Sequence, residues 1–234
     1  PHHESNMQTT DNSQALVLSS GGADGAYAVG VLKALLNGKC PANHFQPLDP
    51  QILVGSSIGA FNAAFLASRL EETDPASALA DLEQSWLEDL AEDHWGQTGA
   101  YRLRGDPRML FDLRCMVANP IQFLVTLLED GLHLAQHSFQ GMVDFLASKE
   151  LLNERLIDLM NLSMFISPDP LLALIQKHIR FDNIRRSKRS LQILTTDWAE
   201  GELNIFSNQD MTDSLGPSIV MASGALPGFF PAVP

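Results

Sequence analysis

The sequence predicts an α/β fold in which a parallel sheet carries helices on its faces. Two short apolar runs, "ALVLSS" at 15–20 and "ILVG" at 52–55, end at glycines and are typical of buried strands. A stretch with helical spacing follows each run, so the chain opens strand–helix–strand–helix. That order favours parallel strands joined by crossover helices. With 234 residues, 45% of them apolar, the chain suits one sizeable domain, or one domain with an insertion.

The first two helices are predicted directly after their strands. In "GADGAYAVGVLKALLNG" the apolar residues recur at helical spacing and Gly38 is the predicted stop. These apolar positions are Tyr27, Val31, Leu32, Leu35 and Leu36. The second helix, rich in small residues, is predicted from Ile58 to Leu70. Residues 1–14 are polar, and we expect a disordered N-terminus or a cloning remnant there, followed by one domain over 15–234.

The middle of the chain, about 74–181, is predicted to be an almost wholly helical insertion. Three Asp-Pro pairs fit a capping residue followed by proline at the first helical position; they are Asp74-Pro75, Asp106-Pro107 and Asp169-Pro170. The stretch 109–166 is rich in Leu, Met and Phe. Two interpretations stay open for it: the core of a helical layer, or an apolar lid or acyl-chain channel over an active site.

Strands return near the end of the chain. The runs "SLQILTTDW" at 190–198 and "GELNIFSN" at 201–208 are separated by a short turn around Glu200-Gly201, which predicts a hairpin. "DSLGPSIVMASGALPGFFPAVP" then predicts a short helix and a loop rich in proline and glycine.

The charge balance bears on partners. A net charge of −13 implies long-range repulsion from nucleic acid and from anionic membranes. One segment, "RFDNIRRSKRS", is locally basic through Arg180, Arg185, Arg186, Lys188 and Arg189. It is interpreted as a solvated loop entering a strand, with a contact to lipid head groups as the alternative. Interleaved aromatic residues are absent from it, so no nucleic-acid partner is expected.

Other special chemistry is not expected. No apolar run reaches the roughly 18 residues of a membrane span, and no signal peptide is recognised, so we expect a cytoplasmic protein with peripheral membrane contact left open. Cys40 and Cys115 are expected to be reduced thiols. His133 and His137 are spaced as metal ligands, but Leu134 replaces the glutamate of a zincin motif, and surface histidines are expected. We expect neither a metal nor a cofactor.

The segment Gly55-Ser56-Ser57-Ile58-Gly59 has the spacing of a nucleophile elbow. Such a turn holds its central residue in a left-handed backbone conformation, and the residues two positions away must be small. Gly55 and Gly59 meet that demand, which places Ser57 at the centre. The amide of Ile58, at the start of the following helix, is a candidate donor to an oxyanion. Ser56 is off-centre and is interpreted as a small residue at the end of the strand.

The turn after the first strand, Ser20 to Gly25, is rich in glycine and predicts a cradle of backbone N–H groups for an anion. It is a poor dinucleotide fingerprint because Ser20 occupies a glycine position, and it lacks a P-loop lysine. It suits an oxyanion hole better, since a second motif supplies a nucleophile. The two motifs converge if their strands are neighbours in the sheet.

These segments resemble the signature blocks of the patatin-like phospholipases. The matching stretches are "LVLSSGGADGAYAVGVL", "ILVGSSIGAFNAAFLA", "MASGALPGFFPAV" and, less closely, "ILTTDWAEGELNIFS". The resemblance implies a three-layer α/β/α fold with a mainly parallel central sheet and a Ser-Asp dyad that acts on acyl lipids. It implies Ser57 as nucleophile and an oxyanion hole of amides from Gly21, Gly22, Ala23 and Ile58. The implied motif glycines are Gly25, Gly55 and Gly59.

The chain departs from the family pattern at three points. Ser20 stands in place of the first of three glycines, and Asp24 stands where the family usually carries Arg or Lys. The dyad aspartate of the family follows the "PGFFP" block in an Asp-Gly-Gly or Asp-Gly-Ala, which is not found before Pro234. We therefore expect a chain truncated before that aspartate. Asp24-Gly25-Ala26 is a minor alternative base, and Asp197 and Asp210 are expected to be structural.

The sequence thus predicts a serine hydrolase that cleaves fatty-acyl esters of (lyso)phospholipids or related lipids through an acyl-enzyme. An α/β-hydrolase triad is disfavoured, because only one strand precedes the elbow and the last histidine is His178, inside the helical middle. The alternative is a catalytically inactive lipid-binding or interaction domain of the same fold.

Overall fold

The computed structural model describes residues 13–91, 102–103, 125, 128–129, 131–132, 166–226 and 230–233. The chain divides into two compact units. The first comprises Pro1–Glu83 and Ile179–Ser223, and the second comprises Gln84–His178 and Gly224–Pro234.

The strands, in chain order, are β1 (Ala15–Leu18), β2 (Ile52–Ser56), β3 (Arg102–Leu103), β4 (Ile166–Ser167), β5 (Ser190–Asp197) and β6 (Glu202–Ser207). The α-helices in the described residues are α1 (Gly25–Leu36), α2 (Ile58–Ala67), α3 (Pro75–Ser85), α4 (Asp169–His178), α5 (Phe181–Arg186) and α6 (Gly216–Gly224).

The first unit is built on a four-stranded sheet in the order β1-β2-β5-β6. The strands β1, β2 and β5 are parallel, and β6 pairs antiparallel with β5. Leu18 lies opposite Gly55, and Gly55 lies opposite Ile193, so the carboxyl ends of the three parallel strands meet at one edge. The predicted α/β class with a mainly parallel sheet is confirmed.

The helix α1 forms as predicted, and its buried stripe shares Leu32 and Leu36 with the predicted one. Val29, Leu32 and Leu36, spaced three and four residues apart, are buried, whereas Tyr27 and Val31 are exposed. The helix ends at Leu36, and Gly38 follows with φ 65°, as the predicted stop requires.

The helix α2 is buried on all sides, because every residue from Gly59 to Ala67 is buried. It packs against β1, β2 and β5, which explains its small and apolar composition. It ends at Ala67, three residues before the predicted Leu70, where the Ser68 hydroxyl donates to the Phe65 carbonyl at 2.7 Å. Such local side-chain bonding competes with continuation of the helix.

The predicted hairpin between β5 and β6 is confirmed. Asp197 lies opposite Glu202, and the turn contains Gly201 with φ 69°. The Asp197 carboxylate accepts from the amides of Ala199 at 2.9 Å and Glu200 at 3.1 Å. Asp210 accepts from the amide and hydroxyl of Ser207 and so closes a capping box after β6. Both aspartates therefore have the structural roles expected of them.

The second unit, together with the first turns of α3, covers most of the predicted helical middle. The Asp74 carboxylate caps α3 by accepting from the Ser77 amide at 3.0 Å, as predicted. The π-helical turn Trp86–Leu90 follows α3. The prediction of an almost wholly helical middle is wrong at one place, because β3 and β4 pair as a short antiparallel ladder. Backbone pairing between segments 60 residues apart carries no periodic signal in so short a run.

Two details of this unit adjust the sequence predictions. The helix α4 begins at Asp169 itself, one residue before the predicted start, and the Ser167 hydroxyl bonds to the Asp169 carboxylate at 2.5 Å. Asp106-Pro107 and most of 109–166 lie outside the described residues, so the choice between core and lid stays a prediction. None of the helices that the structure describes is both long and apolar enough to cross a membrane.

Candidate active site

Ser57 lies between the end of β2 and the start of α2 in an unusual backbone conformation. Its φ is 56° and its ψ is −127°, which a residue with a side chain rarely adopts. Holding one residue there costs on the order of 1–3 kcal/mol, and such residues cluster at functional sites. The sequence prediction of a left-handed residue at the centre of Gly55–Gly59 agrees with this geometry.

The two glycines that flank Ser57 are packed without room for a side chain. A Cβ at Gly55 would lie 2.6 Å from both the Cα of Ala60 and the carbonyl oxygen of Gly59. A Cβ at Gly59 would overlap the carbonyl of Leu18 and would lie 2.8 Å from the carbonyl oxygen of Ser19. The start of α2 therefore lies directly against the end of β1, at the entrance to the glycine-rich turn.

The glycine-rich turn is open to solvent, whereas the glycines of the elbow are tightly packed. Gly22 to Asp24 form a short 3₁₀ turn, closed by a hydrogen bond from the Asp24 amide to the Gly21 carbonyl at 3.0 Å. Gly22 has φ 55° and is exposed. Across the described ranges, the backbone N–H groups of Gly21, Gly22 and Ala23 have no hydrogen-bond acceptor. These three amides are available to a ligand.

A buried amide joins the two motifs. The side chain of Asn62, on α2, is fully buried and donates to the carbonyl of Gly25 at 3.2 Å, at the first residue of α1. Sequence reasoning missed this contact. The signal was available, because Asn62 is a polar residue inside an otherwise apolar and small helix, and buried amides require partners.

A second contact that sequence reasoning missed involves the amide of Ser57. The Ser57 N–H donates to the hydroxyl oxygen of Ser223 at 2.8 Å, and that hydroxyl donates to the carbonyl of Leu194 at 2.6 Å. Ser223 lies on α6, 166 residues from Ser57 in the sequence. The block "MASGALPGFFPAV" contains it, but nothing in the block shows which serine or glycine touches the elbow.

The electrostatic setting of the elbow comes from α2. Ser57 immediately precedes the helix, whose N-terminus carries roughly half a positive charge from the aligned peptide dipoles. Within the part of the chain that the structure describes, the Ile58 amide has no acceptor. A developing negative charge beside Ser57 would thus meet the positive end of α2 and this amide.

No carboxylate among residues 13–91 and 166–226 is hydrogen-bonded to the Ser57 hydroxyl. Asp24, the minor alternative base, is exposed on the turn, and its amide bonds to Gly21. Asp197 and Asp210 are engaged in turns. Within the described residues, the start of α2 packs on the end of β1 beside the glycine-rich turn, and no carboxylate is hydrogen-bonded to the Ser57 hydroxyl. That the turn amides and Ser57 face one substrate stays a prediction.

A scan against protein-family models matches residues 16–234 to the family described as patatin-like phospholipase. The chain belongs to the patatin-like phospholipase family. A comparison with curated proteins finds no match. Among solved structures, the crystal structure of VipD from Legionella pneumophila is similar at 20% sequence identity with a TM-score of 0.40. The match covers 94% of this chain and 43% of the VipD chain, so this patatin-like chain spans less than half the length of VipD.

The basic segment of this family member is largely paired with acids. Arg189 contacts the carboxylates of Asp49 at 2.7 Å and Glu71 at 3.6 Å, and it donates to the Pro50 carbonyl at 2.6 Å. Arg185 pairs with Asp182 and also with Asp213 at 3.3 Å. The prediction of a solvated loop is therefore wrong for the residues that form α5. The side chains of Arg185 and Arg189 form ion pairs with acidic residues of neighbouring loops.

The remaining cations of this segment are less constrained. Arg180 forms an exposed pair with Glu72 at 3.5 Å, and Arg186 donates to the Asn183 side-chain oxygen at 3.1 Å. Lys188 is exposed. A contact of these groups with lipid head groups stays a prediction.

The other chemical predictions concern thiols and metals. Cys40 is a free thiol, whereas Cys115, His133 and His137 lie outside the described residues. Within the described residues, no group of three or more His, Cys, Asp or Glu side chains is arranged to hold a metal ion.

Proposed function

We propose that this protein hydrolyses acyl-lipid esters by covalent catalysis at Ser57. Membership of the patatin-like phospholipase family supports lipid acyl hydrolysis in general terms. The observation that carries the proposal is the backbone of Ser57, whose φ of 56° at a strand-to-helix turn is the geometry of a nucleophile elbow. A strained residue at this point needs a reason, and presentation of a nucleophile is one.

In the proposed reaction, the Ser57 Oγ attacks the acyl carbonyl carbon and the carbonyl electrons move to the oxygen. The amides of Gly21, Gly22, Ala23 and Ile58 donate to that oxyanion, and the loss of one such donor typically costs about 3–4 kcal/mol of transition-state stabilisation. When the tetrahedral intermediate collapses, the C–O bond to the leaving group breaks, the leaving oxygen takes the proton that the base removed from Ser57, and the alcohol departs, leaving an acyl-enzyme. Water then attacks the acyl-enzyme and releases the fatty acid.

We propose an aspartate as the base, in a dyad without histidine. An ionised aspartate accepts the Ser57 proton directly as the serine attacks. Since no described carboxylate bonds to the Ser57 hydroxyl, the proposal places this aspartate outside the described residues, in the Asp-Gly motif that the family carries after the "PGFFP" block. In a protein that carries this motif, Asp→Asn there should lower ester turnover to at most the ~10³–10⁴-fold acceleration over water that binding and an oxyanion hole provide alone.

The proposed substrates are fatty-acyl esters of phospholipids or lysophospholipids. The family description supports the acyl lipid, and the finer choice rests on the sequence resemblance. Arg180, Arg186 and Lys188 are the proposed head-group contacts, because Arg185 and Arg189 already have close acidic partners. The charge of −13 argues for a local contact rather than general attraction to an anionic surface.

The alternative function is an inactive lipid-binding or interaction domain. The observations that favour it are the lack of a described base at Ser57 and the exposed Asp24 beside the amide cradle. A negative charge there opposes a developing oxyanion, although solvent screens it.

Covalent labelling separates these functions. A fluorophosphonate probe should modify the wild-type protein at Ser57, and Ser57→Ala should abolish the labelling. The adjacent Ser56→Ala is the matched control, because Ser56 lies at the end of β2 and should leave labelling largely intact. Labelling that persists in Ser57→Ala would sink the assignment, and an unlabelled wild-type protein of full length would favour the inactive domain.

A further inference from the structure

The hydroxyl of Ser223 lies between two backbone groups at the carboxyl ends of neighbouring strands. Its oxygen accepts from the Ser57 N–H at 2.8 Å, and its proton goes to the Leu194 carbonyl at 2.6 Å. Ser57 follows β2, and Leu194 belongs to β5, the parallel neighbour of β2. Ser223 itself is in the last turn of α6.

The register shows which bond this hydroxyl replaces. Ser190 lies opposite Ile52 and donates its N–H to the Gln51 carbonyl at 2.8 Å. In a parallel ladder, a residue whose N–H donates in this way also accepts, at its carbonyl oxygen, the N–H of the residue that follows its partner. This pattern repeats every two residues along the strand. Leu194 lies opposite Ser56, so a regular ladder would pair the Leu194 carbonyl directly with the Ser57 N–H. The Ser223 hydroxyl stands between these two groups instead.

We propose that Ser223 is a positioning residue of the elbow, an inference that rests on the proposed function of Ser57. By separating the Ser57 amide from β5, the hydroxyl keeps the peptide from closing onto the sheet and supports the φ of 56° that Ser57 adopts.

The same contact indicates which backbone amides can donate to an oxyanion. Because the Ser57 N–H is already bonded to Ser223, the nucleophile's own amide does not serve the substrate. The donors that remain are the Ile58 amide and the amides of the glycine-rich turn, all without acceptors in the described residues. Ser223 thus fixes both the direction of the nucleophile and the side from which the oxyanion is bound.

The test compares Ser223→Ala, Ser223→Thr and the control Ser218→Ala in the full-length protein. Ser218 lies on the same helix, five residues earlier, and takes no part in the contacts above. Four quantities are measured: the melting temperature, the NMR shift of the Ser57 amide, its hydrogen-exchange protection, and the second-order rate of fluorophosphonate labelling at Ser57.

We expect Ser223→Ala to shift the Ser57 amide resonance and to slow labelling at least about tenfold, the scale of losing a good positioning contact. On a short-chain ester it should lower kcat with little change in KM. Ser223→Thr keeps the hydroxyl and should recover most of the rate, and Ser218→Ala should match the wild type. These outcomes together support a positioning role, since a purely structural serine would lower the melting temperature without changing the labelling rate of the folded protein.

Two results would overturn the positioning role of Ser223 and leave the proposed function of Ser57 standing. One is an unchanged resonance and exchange protection of the Ser57 amide in Ser223→Ala. The other is a changed amide resonance with the wild-type labelling rate. Failure of the proposed function has a different signature. In that case the wild type does not label, or Ser57→Ala labels equally, and the positioning role falls with it.

Discussion

The two strand-to-helix junctions of the sheet, one after β1 and one after β2, use glycine for different reasons. At the second junction, Gly55 and Gly59 have no space for a Cβ, because backbone atoms of α2 and of the end of β1 fill it. At the first junction, Gly22 has nothing within 4 Å of its Cβ position, but its φ is 55°. Glycine is therefore required at the second junction because a side chain has no space there, and at the first junction because the backbone conformation disfavours a side chain.

This difference predicts whether a substitution at each junction should affect the stability of the fold or the direction of the backbone amides. A side chain at a packed junction must move backbone, which damages the fold itself. A side chain at an open junction meets only a conformational penalty, so the fold can survive while the direction of its amides changes.

The largest effect is expected for Gly59→Ala. Its methyl group would overlap the Leu18 carbonyl, a backbone atom that cannot rotate away, and would separate β1 from α2. We expect a loss of at least ~2–3 kcal/mol in the free energy of unfolding, measured by urea titration, and no detectable labelling of Ser57.

The matched control for this change is Gly30→Ala. A Cβ at Gly30, inside α1, meets nothing within 4 Å, so this variant should gain about 0.5–1 kcal/mol from the higher helix propensity of alanine. Equal stability of the two variants would contradict the packing argument.

The second prediction concerns the open turn. Gly22→Val should lower ester turnover at least about 100-fold with the fold preserved, because a β-branched residue avoids φ 55° and the amide donors would be redirected. Circular dichroism and steady-state kinetics on a short-chain ester check it.

Gly201→Val is its control, since Gly201 also has a positive φ and open space but lies in the β5–β6 turn. It should share the stability loss of Gly22→Val and keep the wild-type turnover. If both variants lose turnover alike, the effect of Gly22→Val belongs to general destabilisation.

A smaller effect is expected for Asp24→Asn, which removes a charge from the open turn. An exposed charge a few ångströms from an oxyanion is worth about 1 kcal/mol in water, so kcat should rise by no more than about fivefold. Turnover that vanishes in this variant would identify Asp24 as the base and would show that the proposed downstream aspartate is wrong.

The smallest effect is expected for Asp89, a residue of the second unit. Hydrogen bonds from Lys177 at 2.7 Å and, in second place, from His178 at 2.6 Å hold the pKa of Asp89 below its ordinary value against the opposing effect of burial. A lowered pKa in the folded state stabilises the protein above the unfolded-state pKa of about 4, and this stabilisation fades as the pH falls through the lower, folded-state pKa.

Asp89→Asn should therefore cost at most about 1 kcal/mol at pH 7, because the group is partly exposed. Melting curves of the variant and the wild type should converge as the pH falls through the lowered, folded-state pKa of Asp89. A difference that persists unchanged in acid would mean that the Asp89 contacts act through packing and not through charge. Labelling of Ser57 should not change in this variant.

Sequence reasoning reached the local elements because their signals are local. The bracket Gly55–Gly59, the stop at Gly38, the cap at Asp74 and the turn at Gly201 each follow from the conformational limits of a few adjacent residues. The pairing of β3 with β4 escaped it, since two residues of strand leave no periodic pattern. The role of Arg189 also escaped it, because a basic run does not reveal that acids from two distant loops approach it.

The amino-acid sequence alone predicts two glycine-bearing turns, each between a strand and a helix, with one serine at the centre of a glycine bracket. Steric limits on the backbone act within a few residues, so such turns can be recognised without a fold. Only the tertiary structure decided that β1 and β2 are neighbours, that Asn62 joins α2 to the start of α1, and that Ser223 bonds to the amide of Ser57. These are contacts between groups up to 166 residues apart, and they form because buried polar groups must find partners wherever the packing of the sheet and helices brings them together.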